Sequence, residues 1–292
     1  MPYFRHDNLR FYFEEHGSGR PFVFSHGLGG NLKRSLELTH QLPNIRLIVY
    51  DNRAHGQTRP LGDPHRLTFE AMADDMAALL DYLSLPAAFV GGVSMGAGIS
   101  LAFCLRYPQR AKALILNRPA WLDAPNPRNL SILTTIGELI EKLGLEKARA
   151  QFEHTVPYQD LERRYPGSAK SLIDLFNTES SEALVAALKT IPSSAPVDSL
   201  VKLAALDVPS LVIGNRSDPI HPFELAQTLT KSIPGTRFHE IPSKSENLKG
   251  HYEEFRRVVS QFLSTRELNQ KMQATFEKVR GLGASLLLFH GH

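Results

Sequence analysis

One cysteine, Cys104, in 292 residues excludes an internal disulfide. Its place in an apolar helical stretch suits a small buried side chain. This cysteine usage fits a reducing compartment, and a cytoplasmic location is expected. Long apolar runs are missing too. No stretch of eighteen or more could form a membrane-spanning helix, and the first six residues lack the apolar core of a secretory signal. Charge of one sign is scarce: 33 basic against 30 acidic side chains leave a net +3. The basic residues are scattered and not interleaved with aromatics, so no nucleic-acid surface is expected. No His, Asp and Glu cluster has ligand spacing, which argues against a metal; His290 and His292 read as a loose end. Gly27-Leu28-Gly29-Gly30 does not fit a phosphate-binding loop, and no cofactor is implied. A small-molecule substrate is the expected partner.

What the sequence does contain is strand–helix alternation. Strands are expected near 3–5, 9–13, 22–25, 46–50, 87–91, 113–117, 208–214 and 237–241. Helices are expected near 32–41, 68–83, 97–107, 223–233 and 252–263. Apolar strands separated by amphipathic helices predict an α/β fold: a mostly parallel, eight-stranded sheet with helices on both faces. The rhythm breaks after Asn117. From Arg118 to about Leu206 the pattern is helical, with helices expected near 129–143, 145–154, 168–176 and 180–190. This divides the chain into a core of residues 1–118 and 206–264, an inserted helical cap over 119–205 and a tail over 265–292. In the tail, a charged amphipathic helix over 266–280 precedes an apolar stretch at 285–289. Docking on the core or a disordered end is expected, and a homo-oligomer or membrane-surface contact is the alternative.

The most informative residues are Gly92-Val93-Ser94-Met95-Gly96. They fit G-x-S-x-G between an apolar strand and a buried helix, where a sharp turn lifts the serine hydroxyl toward solvent. The following helix aims its free N–H groups at whatever the serine attacks. An alcohol is a poor nucleophile at neutral pH. It needs a base in hydrogen-bond reach, and the base needs a group to fix its tautomer. Ser94, Asp218 and His251 follow one another in the order Ser, Asp, His, each just past the C-terminal end of an expected strand, the edge where α/β sheets build sites. Asp123 and Asp207 are rivals for the acid, and His221 and His239 for the base.

These motifs together resemble the α/β-hydrolase family over about residues 3–264. His26-Gly27 resembles its oxyanion loop. Asp51 to Thr58 resembles its D-x-R-G-H-G-x-S turn, with Ala54 where the family has glycine. Gly92 to Gly96 resembles its nucleophile elbow. Asp218 and Gly250-His251 fall where the family keeps its acid and base. The resemblance implies Ser94, Asp218 and His251 as catalytic residues, with the backbone N–H groups of Leu28 and Met95 as the oxyanion hole. It implies a structural role for His26 and bracing roles for Arg53 and His55. Trp121 either lines the substrate pocket or anchors the cap. Related dehalogenases and epoxide hydrolases carry aspartate at the elbow, so serine points to acyl transfer to water. The expected function is hydrolysis of an ester or lactone with an apolar or aromatic acyl part. C–C bond cleavage by the same triad, or ligand binding with weak turnover, are the alternatives.

Overall fold

A computed structural model describes residues 2–178 and 180–266, together with 268, 270 and 273. Its centre is one sheet of eight strands: β1 (Tyr3–His6), β2 (Leu9–His16), β3 (Arg20–Ser25), β4 (Ile45–Tyr50), β5 (Ala88–Val93), β6 (Ala111–Asn117), β7 (Ser210–Gly214) and β8 (Arg237–Glu240). The spatial order is β1-β2-β4-β3-β5-β6-β7-β8. β2 runs antiparallel to β1 and β4, and every other pairing is parallel. All eight strands fall where the sequence predicts them, their ends differing by one to three residues where they differ.

Alternate residues of the parallel strands supply two separate cores. Val23, Ile48, Val90, Leu114 and Val212 face α2 (Phe69–Tyr82), α3 (Met95–Arg106) and α9 (Phe223–Ser232). Phe22, Phe24, Val49, Phe89, Ile115 and Ile213 face α1 (Leu32–Thr39) and α10 (Leu248–Leu263). Burial on both faces is why these strands read as apolar runs and not as polar–apolar alternation.

Between β6 and β7 the chain is helical, with α4 (Ser131–Leu143), α5 (Leu145–Glu153), α6 (Val156–Arg164), α7 (Pro166–Ile173) and α8 (Ser181–Thr190). Four of these match expectation. α6 was not expected; Pro157 occupies its first turn, where its missing N–H costs nothing. Thr155 caps that helix by accepting from the Tyr158 N–H. α7 begins two residues earlier than expected, again on a proline, Pro166.

The two ends of this insert are stitched together. Asp123 accepts from the Leu200 N–H at 3.1 Å, and Asn126 N–H donates to the Pro192 carbonyl at 2.6 Å. Asp123, a rival for the catalytic acid, is thus a structural tie.

No helix among the described residues is long and apolar enough to cross a membrane. Leu268 is buried against the α1–α10 layer. The tail helix expected over 266–280 lies outside the described residues except at 266, 268, 270 and 273, and the apolar stretch 285–289 lies wholly outside them.

Candidate active site

β3 and β5 are neighbours, with Ser25 opposite Gly92. Their C-terminal ends therefore bring the loop after β3 beside the turn after β5. Ser94 is that turn, and its backbone sits at φ 57, ψ −113. A non-glycine residue in so sparsely populated a region costs on the order of 1–3 kcal/mol and persists only where its surroundings impose it. The surroundings here are two glycines. A Cβ on Gly92 would stand 2.3 Å from the Gly96 carbonyl carbon, and one on Gly96 would stand 2.1 Å from the Ser25 carbonyl oxygen. Neither turn could close with a larger residue. Ser94 N–H donates to the Asn117 carbonyl of β6, fixing the elbow to the sheet. Ser94 remains half-buried while the helix it begins is buried.

The N–H of Met95, first residue of α3, has no intrahelical acceptor. Leu28 sits in the loop after β3, and no acceptor among the described residues engages its N–H. A Cβ on Gly27 would lie 3.5 Å from the Ser94 Cβ, so loop and elbow are in contact.

Two buried histidines hold that loop. His26 Nε2 accepts from the Asn52 N–H, which leaves Nδ1 as the donor to the Gly27 carbonyl. His55 Nε2 accepts from the Gly29 N–H, and its Nδ1 donates to the Arg53 carbonyl. Each ring thus has one defined neutral tautomer. Burial pushes His26 down to about 4. Burial, helped by His26, pushes His55 down to about 3. Asp51 completes the brace by accepting from the Leu32 and Gln57 N–H groups at 2.7 Å each.

Arg53 is buried in a two-pronged pair with Asp75 and a further contact to Asp7. The turn is therefore a packed brace and not a solvated loop. Ala54 adopts φ 63, the left-handed conformation that explains the family's glycine there.

His251 lies in the first turn of α10, 1% exposed, with Nδ1 2.8 Å from the Pro242 carbonyl. A carbonyl only accepts, so Nδ1 carries the proton and Nε2 is left as an acceptor. Burial, with Arg118 and Lys244 adding to it, pulls the imidazole down to about 3, against the opposing pull of Pro242 and Asp218. The ring is neutral throughout the physiological range.

Asp218 follows β7 but makes no hydrogen bond to His251. Its carboxylate is engaged by Arg118, whose Nε donates at 3.1 Å and whose Nη2 also donates to the same oxygen. Ser168 Oγ of α7 donates to the other oxygen at 3.1 Å, and His221 Nδ1 stands 3.0 Å from Oδ2. Burial alone would raise this carboxyl; Arg118 and His221 overcome that and hold it well below the usual carboxylate range. Nor does a hydrogen bond join Ser94 to His251 among the described residues. The three residues are thus on one edge of the sheet without forming a continuous relay.

Trp121 is 2% exposed and packs edge-on against Phe69 at 5.1 Å. Arg118 and Lys244 escaped the sequence reading. Arg118 directly follows β6, and its one clue was a cation at the C-terminal edge of the sheet. Lys244 had no motif to mark it.

Residues 20–248 match the sequence profile described as the alpha/beta hydrolase fold. The AB hydrolase superfamily protein YisY of Bacillus subtilis is 26% identical over 262 residues, covering 87% of this chain and 94% of the relative. A thermophilic esterase from Thermogutta terrifontis superposes with a TM-score of 0.68 at 26% identity, over 90% of this chain and 94% of that one. The enol-lactonase from Burkholderia xenovorans LB400 superposes with a TM-score of 0.72 at 22% identity, over 90% of this chain and all of the other.

Proposed function

This chain belongs to the α/β-hydrolase family, and from that premise we propose that it is a serine hydrolase of carboxylic esters or lactones, acting through an acyl-enzyme on Ser94. The observation that carries the reading is the strained elbow: Ser94 held at φ 57 on the N-terminus of α3. The similarity to an esterase at 26% identity supports the class of bond.

In this mechanism Ser94 Oγ attacks the acyl carbon as its proton passes to His251 Nε2. The negative oxygen is received by the Leu28 and Met95 N–H groups. The acyl C–O bond then breaks, and the departing alkoxide takes the proton from His251. Water attacks the acyl-enzyme, giving its proton to the same nitrogen, and Ser94 leaves reprotonated. The Pro242 carbonyl sets the tautomer that makes Nε2 the acceptor. Asp218 acts on the imidazolium through its field. The helical insert is the cap that bounds the substrate, with Trp121 anchoring it.

A fluorophosphonate probe tests this directly. Intact mass of wild type should show one adduct, absent in Ser94→Ala and strongly reduced in His251→Ala. A folded wild-type protein that takes no adduct would sink the proposal. That result would favour a second reading, a ligand-binding protein with weak turnover, for which the missing hydrogen bond between Asp218 and His251 already speaks.

A further inference from the structure

Lys244 lies in the loop between β8 and α10, two residues after the Pro242 carbonyl that holds His251. Its Nζ stands 5.8 Å from the centre of the Tyr252 ring, and that ring is 5.7 Å from the His251 ring. Among the described residues the ammonium makes no hydrogen bond and no ion pair.

Its neighbours compensate it only in part. Arg118 and Arg34 press on it electrostatically, against the opposing pull of Asp218 and Glu37. The anions near it are already claimed. Asp218 is held by Arg118, Asp174 by Arg34 and Lys170, and Glu37 lies 3.6 Å from Arg34. Three carboxylates thus face four cations, and the one left over is Lys244. Burial, with Arg118 and Arg34 adding to it, draws Lys244 down to about 7.

The insert closes over this point. Gly167 of α7 donates its N–H to Ser245 Oγ at 3.1 Å, and a Cβ there would meet the Lys244 backbone at 2.7 Å. A partly buried ammonium without a counter-ion is costly, and a bound anion would offset that cost. One ammonium without a second unpaired cation matches a single negative charge better than a dianion.

We propose that Lys244 anchors an anion subsite at the seam of insert and core, so that the substrate carries a free carboxylate beyond its scissile acyl group. The subsite's place in catalysis rests on the serine-hydrolase reading; its binding does not.

Calorimetric titration of Ser94→Ala with monomethyl glutarate and dimethyl glutarate separates the two. The acid should bind about tenfold or more tighter than the diester, the gain of one charge-assisted contact. In Ser94→Ala/Lys244→Met the preference should vanish, and in Ser94→Ala/Lys244→Arg most of it should return. Equal affinities in Ser94→Ala, no millimolar binding of the acid, or a preference that survives Lys244→Met would each overturn the subsite.

A second readout guards against misfolding. Lys244→Met removes an uncompensated charge and should raise the thermal midpoint by about 2 °C or more; a lowered midpoint means the lysine is structurally satisfied and overturns the inference. Fluorophosphonate labelling reports the hydrolase reading separately. A labelled Ser94 without acid preference overturns the subsite alone, and acid preference without labelling overturns the hydrolase reading alone.

Discussion

His251 is neutral because it is buried beside Arg118 and Lys244, and this has a measurable sign. Its proton affinity in the fold is depressed, so the accepting form survives as pH falls through the ordinary histidine range near 6.5. The kcat/KM of the free enzyme should therefore change by less than about threefold between pH 7.5 and 5.5, where an unperturbed base would lose roughly tenfold. An acid limb centred near 6.5 would contradict this environment for His251. Asp218 gives a second residue-scale outcome. Removing its carboxylate in Asp218→Ala leaves Arg118 buried without a counter-ion, which should cost about 3–5 kcal/mol in denaturant unfolding. A cost below about 1 kcal/mol would mean that water or His221 takes over the guanidinium. The sharp turn at Ser94 and Met95, the glycine-rich loop at Leu28 and the helix start at His251 were legible in the sequence because local spacing reports a turn or a helix start. Arg118 was not, since its partner Asp218 lies a hundred residues away and only strand adjacency brings them together. Ala54 was legible as an oddity, and its left-handed φ supplies the reason.

The elbow shows how tightly an element can be specified. Gly96 lets α3 pass the end of β3, with the Ser25 carbonyl where a methyl group would go. Backbone cannot retreat as a side chain can, so Gly96→Ala should cost about 3 kcal/mol or more and abolish fluorophosphonate labelling. Retention of labelling with an unchanged thermal midpoint would refute the close approach. Strands and core helices were readable because their periodicity is their burial pattern. α2 follows its N-cap Thr68, whose hydroxyl accepts from the Ala71 N–H. α6 and the start of α7 were hidden by prolines that occupy first-turn positions, where the residue that breaks a helix interior is harmless. The insert's helices are short and their apolar faces cover one another as well as the core, so pattern alone could locate most of them and could not orient any.

At the scale of the whole molecule, insert and core are joined by side chains far apart in the sequence. Arg34 of α1 pairs with Asp174 at 2.7 Å, Ser168 reaches Asp218, and a Cβ on Gly29 would strike Leu175 at 2.2 Å. The sheet order was not legible: the pattern predicts parallel strands but cannot say that β3 lies inside β4, beside β5. The buried histidines give the fold an acid sensitivity. His26, His55 and His251 bind protons less readily folded than unfolded, so the unfolded chain gains protons first as pH falls. Their contribution to stability is complete above about pH 6.5 and is lost as acid is added. Unfolding free energy should drop by about 1 kcal/mol per histidine between pH 8 and 5.5. A flat stability curve over that window would show that the rings are hydrated.

The stitching of the insert's ends, Asp123 to Leu200 and Asn126 to Pro192, has a consequence for how such a chain diversifies. The excursion leaves the sheet and returns to it through one closed neck, so its length and sequence can drift without altering the distance between β6 and β7. Under the serine-hydrolase reading, the attacking group and most of what encloses the substrate would then be inherited as separate parcels. A transplanted insert of another size, grafted at that neck, would present a new pocket to an unchanged serine.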